Sequence, residues 1–107
     1  MPAAALLALA IIAEVLGTVA LRMSDGFSRP LPSVGAVLGY ALAFALLAPV
    51  LKELDIGLVY AIWAGVGTAL IAVIGVLAWG EPTGAIKVLS IAAVILGVVG
   101  LNLSSGH

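Results

Sequence analysis

One acidic residue stands where an acid is costly to keep. Glu14 lies in the middle of Ala10-Ile-Ile-Ala-Glu-Val-Leu-Gly-Thr18, inside an apolar run from Ala3 to Leu21 that holds no other charge. As a helix that run rises about 1.5 Å per residue and just spans a hydrocarbon core of about 30 Å. A charge at the bilayer centre costs roughly 2.5–3.5 kcal/mol on insertion scales for Asp, Lys or Arg, and ionisable groups kept there mark ion or substrate pathways. Removal from water favours the neutral form of a carboxyl group. Such a group can take up and release a proton. Ionised, it attracts a cation; protonated, it does not. That exclusion is enough to couple a proton flow to a cation flow.

The neighbours of Glu14 on a helix are Ala10, Ile11, Gly17 and Thr18, with Leu7 and Leu21 extending the face. This face is small and shallow beside the carboxyl group. A cation in an apolar cavity also needs a soft partner, and an aromatic face supplies one, about 2 kcal/mol or more when desolvated. Tyr60 and Trp63 are three residues apart, hence on one helix face, and Tyr40 lies inside another apolar run. Tyr60 also fits the interfacial anchor that Tyr commonly provides near a helix end; Trp79 reads as such an anchor. Pocket and packing roles both fit Trp63, and Phe44 reads as packing.

Glycines supply a second set of candidates. Gly65 and Gly67 weaken the middle of their helix, as a bend that differs between two states or as a site of close packing. Ala93, Gly97 and Gly100 follow the small-residue spacing that favours helix association in membranes. A second copy of the chain is expected for another reason: four short helices cannot wall a solvated path, and Glu14 has no basic partner at its depth.

Composition places these residues in lipid. Of 107 residues, 64% are hydrophobic and 8% charged, against about 25% charged in a soluble domain. The net charge of −1 points to no nucleic acid or acidic partner. Absence of cysteine excludes disulfides and thiol chemistry, and the single histidine, His107, is terminal, leaving no internal metal or triad site. No enzyme chemistry, metal or cofactor is expected. Met1-Pro-Ala-Ala lacks the basic region of a cleavable signal peptide.

The remaining charges cluster at breaks: Arg22, Asp25 and Arg29; Lys52, Glu53 and Asp55; Glu81 and Lys87. Between them the pattern predicts an all-α membrane protein, a single domain over residues 1–107 with helices at about 3–21, 34–51, 58–79 and 85–103. Asp25-Gly26, Arg29-Pro-Leu-Pro32, Asp55-Ile-Gly57 and Glu81-Pro-Thr-Gly84 form the connections, with Ser33 and Thr83 as expected helix caps. Pro49 is expected to free the carbonyl of Ala45 near the end of the second helix. Arg22, Arg29 and Lys87 on one side against Lys52 on the other give a weak orientation bias, compatible with dual insertion.

Ala13-Glu-Val-Leu-Gly-Thr18, Ser24-Asp-Gly-Phe27, Pro32-Ser-Val-Gly35, Tyr60-Ala-Ile-Trp-Ala-Gly-Val-Gly67 and Gly100-Leu-Asn-Leu103 together resemble the small multidrug resistance transporters over essentially the whole chain. The resemblance implies an antiparallel homodimer with dual topology in the inner (plasma) membrane, the fourth helices holding it together. It implies that paired Glu14 carboxylates bind protons and cationic substrate in mutual exclusion. It puts Tyr40, Tyr60 and Trp63 at substrate-contacting positions and Leu7, Ala10, Ile11, Gly17 and Thr18 on the cavity wall. Gly17 and Asn102 make the chain look like the branch that exports lipophilic and quaternary ammonium cations. Glu81-Pro82 is more similar to the guanidinium-exporting branch, and Ala64 and Ala4 stand where the family often carries a serine and an aromatic residue. A guanidinium exporter, a scaffold subunit that transports nothing and one half of a heterodimer are the rival readings.

Overall fold

The structure, a computed structural model, describes residues 1–104; His107 lies outside them. The described chain is four helices and no strand: α1 Ala3–Met23, α2 Pro30–Val50, α3 Ile56–Trp79 and α4 Ala85–Ser104. Each is long and apolar enough to cross a membrane, the one open-chain geometry that satisfies every backbone group within a lipid-facing segment. The sequence predicts one four-helix domain; the contacts divide it into two compact units, one ending at Leu54 and the other beginning at Asp55.

Helix boundaries differ from the sequence expectation where proline and serine are concerned. Arg29-Pro-Leu-Pro32 starts α2 rather than preceding it: Pro30 takes the first helical position, with Arg29 before it in extended conformation. Proline fits there because its missing N–H would have no partner anyway. Ser33 is therefore not the cap; it lies inside the first turn, where its Oγ donates to the carbonyl of Arg29 at 2.6 Å. α2 runs past Pro49 and stops one residue later. α3 begins at Ile56, taking in Gly57, with Asp55 at its N-cap position making no side-chain cap bond. Gly84, not Thr83, immediately precedes α4, and its carbonyl accepts from the Val88 N–H at 3.0 Å.

In the first unit α1 and α2 form an antiparallel hairpin whose contact is made of residues without bulk. A Cβ added to Gly39 would lie 2.8 Å from the Gly17 Cα, 3.0 Å from its nitrogen and 3.1 Å from the Ala13 carbonyl oxygen. One added to Gly17 would meet the Tyr40 nitrogen at 3.3 Å and the Ala36 oxygen at 3.4 Å. Ala10, Ala36 and Ala43 are fully buried. Small residues let two backbones approach closely, which is how membrane helices gain packing energy without a hydrophobic driving force.

The connection between them winds left-handed over three successive residues: Asp25, Gly26 and Phe27 have φ of 50°, 70° and 67°. Ser24 holds it. Fully buried, it donates from Oγ to the Leu21 carbonyl at 2.6 Å and accepts the Phe27 N–H at 3.0 Å. Its own carbonyl accepts from the backbone N–H groups of Ser28 and Arg29. Every polar atom of a buried residue is thus matched, as it must be.

The second unit is the α3–α4 hairpin. α3 closes on Gly80, left-handed at φ 63°, whose N–H bonds the Val76 carbonyl at 3.1 Å while the Glu81 N–H bonds that of Gly75 at 3.2 Å. Lys87 Nζ donates to the Pro82 carbonyl at 3.0 Å across the short connection.

Gly39→Ala is expected to lower stability by about 1–3 kcal/mol, since the new methyl meets backbone that cannot rotate away. Gly57, with nothing within 4 Å of its added Cβ, provides the control: Gly57→Ala should be neutral or mildly stabilising. Denaturation of the two purified variants in mixed detergent measures both, and equal effects would contradict the crossing described here.

Candidate functional site

The α1–α2 crossing brings a carboxyl group and two hydroxyls together. Thr18, one turn beyond Glu14, donates its Oγ1 hydrogen to Glu14 Oε2 at 2.7 Å. The same Oγ1 is 2.7 Å from the hydroxyl of Tyr40 on α2. A threonine hydroxyl has one hydrogen and two acceptor positions. Either hydroxyl can donate in the second contact; while the Thr18 hydrogen is on an ionised Glu14, the donor there is Tyr40. All three side chains are partly buried.

The local sequence explains why they meet. Four residues along a helix return to the same face, so Thr18 reaches Glu14 within α1. Tyr40 reaches Thr18 because Gly39, beside it, rests against Gly17, beside Thr18. The closeness of the two backbones brings a hydroxyl on one helix to a hydroxyl on the other. A hydrogen bond to a charged group contributes about 1.5–3 kcal/mol, comparable with the cost of the charge itself at this depth.

The other expected site residues are placed as follows. Leu7, Ala10, Ile11 and Gly17 are buried, and Gly17 sits against the α2 backbone. In the second unit Tyr60 is 72% exposed and Trp63 partly buried, three residues apart on α3. Gly65 and Gly67 are buried in an uninterrupted helix. Gly65 faces α4: an added Cβ would lie 2.5 Å from Val98 Cγ2 and 3.3 Å from Val94 Cγ1. Ala93, Gly97 and Gly100 are exposed, and nothing lies within 4 Å of a Cβ added at Gly97 or Gly100. Two residues on which the site depends were not singled out from the sequence. Gly39 forms with Gly35 a pair four apart, the same small-residue spacing as Ala93 and Gly97 on α4, a spacing too common in this chain to single it out. Ser24 stands in the Ser24-Asp-Gly-Phe27 motif of the resemblance, but nothing in its type or spacing marks it as the buried residue that holds the turn.

Four apolar spans, with an acid bonded to a hydroxyl in the first, are the build of a small multi-pass membrane transporter. The chain belongs to the Small Multidrug Resistance protein family, whose pattern matches residues 3–103. It is 50% identical over 102 residues to nicotine metabolites export pump subunit NepA of Paenarthrobacter nicotinovorans, covering 95% of this chain and 88% of that one. It is 45% identical over 101 residues to multidrug resistance protein EbrB of Bacillus subtilis, covering 94% and 86%. With multidrug resistance protein Mmr of Mycobacterium tuberculosis it shares 41% over 99 residues, 92% of each chain. It is accordingly a multidrug efflux transporter of this family, a multi-pass protein of the bacterial inner membrane.

The packing at Gly65 yields a double-variant test. Gly65→Ala is expected to lower the stability of the protein by about 1–3 kcal/mol, because valine is stiff at χ1 and cannot swing aside. Adding Val98→Ala should restore most of it. Thermal unfolding in detergent reads both; absence of rescue would show that the cost of the methyl does not come from Val98.

Proposed function

We propose that the chain is a proton-coupled antiporter that exports lipophilic and quaternary ammonium cations, working as an antiparallel homodimer. The observation that carries the proposal is Glu14: the lone charge between Ala3 and Leu21, bonded to a neutral hydroxyl that meets a second one, each contact 2.7 Å. A carboxyl group so held is positioned without being neutralised, and it remains open to a proton or to an organic cation. The two compete for one negative charge. A proton arriving from the side where protons are abundant expels the cation, and loss of that proton restores the site.

Within this reading Tyr40, Tyr60 and Trp63 give the cation aromatic faces. The open small-residue stretch of α4, at Ala93, Gly97 and Gly100, receives the second subunit, which brings a second Glu14. Gly65 and Gly67 serve the change of shape between inward- and outward-facing forms. A relative is named as an export pump subunit, which supports a second reading in which this chain pairs with a different partner.

Reconstitution of this chain alone in liposomes separates the two readings and tests the first. An imposed proton gradient is expected to drive uptake of a quaternary ammonium dye by the wild-type protein, and Glu14→Gln to abolish it while the dimer persists in detergent. Retained gradient-driven uptake by the variant would defeat the proposal; uptake only on adding a second, different chain would favour the heterodimer.

A further inference from the structure

We infer that Thr18 and Tyr40 are positioning residues that carry the protonation state of Glu14 to the neighbouring helix, as the direction in which the Tyr40 hydroxyl points its hydrogen. The inference rests on the competition proposed above and adds a device to it.

Hydrogen counting supports it. When Glu14 is ionised it can only accept. Thr18 then donates to it and must accept from Tyr40 across the second 2.7 Å contact. The Tyr40 hydrogen is committed inward, and the oxygen's remaining lone pairs face away from Thr18. When Glu14 is protonated it can donate. Its hydrogen goes to Thr18, Thr18 turns its own hydrogen toward Tyr40, and the Tyr40 hydrogen is released. No atom need move beyond the rotation of two hydroxyl hydrogens. No covalent bond forms or breaks apart from the uptake of one proton by Glu14. Tyr40 thus offers acceptor lone pairs in the state that takes a cation and a partly positive hydrogen in the state that rejects one. The row strengthens the exclusion that a lone carboxyl group would impose.

Glu14, Arg22 and Tyr40 are the titratable side chains within α1 and α2; Arg22 lies in the last turn of α1, four residues beyond Thr18, and Arg29 immediately before α2. Polarisation along such a row makes the effect of deleting one member depend on the other.

A pH titration of tetraphenylphosphonium binding to the purified dimer tests the inference. Thr18→Val removes the donor to the ionised carboxylate, so protons compete better. The pH of half-maximal binding is expected to rise by about one unit, and Thr18→Ser should restore it. Tyr40→Phe keeps the ring and is expected to raise the midpoint by a few tenths of a unit. Added to Thr18→Val, it should change nothing further, because its route to Glu14 is already cut. An equal shift from Tyr40→Phe in both backgrounds, or none in the wild-type background, overturns the inference. Tyr40→Phe decides alone should Thr18→Val fail to fold. Binding by the wild-type protein that ignores pH would instead sink the competition itself, and the relay with it.

Discussion

A carboxyl group in hydrocarbon needs a partner, and the rest of the first hairpin follows from supplying one. Thr18 meets the need from the same helix, one turn away. That bond leaves the threonine oxygen with unused acceptor capacity, which a second helix must answer. Tyr40 does so only because α1 and α2 lie nearly backbone to backbone, and they do so only because glycine occupies both sides of the crossing. Acid, hydroxyls and glycines are therefore one arrangement. Its polar part would not close with bulkier residues at the contact.

The two hairpins use small residues in different ways. In the first, Gly17 and Gly39 face main chain, and the turn at Ser24 has its buried polar atoms matched internally. In the second, Gly65 faces the branched side chains of Val94 and Val98. α4 has no fully buried residue; Ile91, Ile95 and Val98 are partly covered, and most of the helix is exposed. A helix with that surface is at home in lipid or against another protein. The open positions at Gly97 and Gly100 leave room for a close approach.

Much of this was legible in the residues. The lone acid stood out because a run of apolar neighbours makes any charge conspicuous, and Thr18 followed from helical spacing. Tyr40 was legible as an aromatic in a span, but its hydroxyl partner was not, because register between two helices is a tertiary property. The start of α2 differs from the sequence expectation for a physical reason: proline ends helices from within but begins them well, and Pro30 and Pro32, expected in the connection, open the helix instead. Gly39 went unremarked although Gly35 and Gly39 had the spacing that drew notice to α4; in a chain so rich in glycine and alanine, spacing alone does not say which pair faces a neighbour.

The contact at Gly39 also constrains how the protein can change over generations. A methyl group at Gly65 meets a side chain, so a smaller residue at Val98 can make room, and the pair can drift together. A methyl group at Gly39 meets the main chain of Gly17, which no substitution can trim. Neutral variation thus has a path through the second hairpin and none through this point of the first, and altered drug ranges must be reached by changing residues around that fixed crossing.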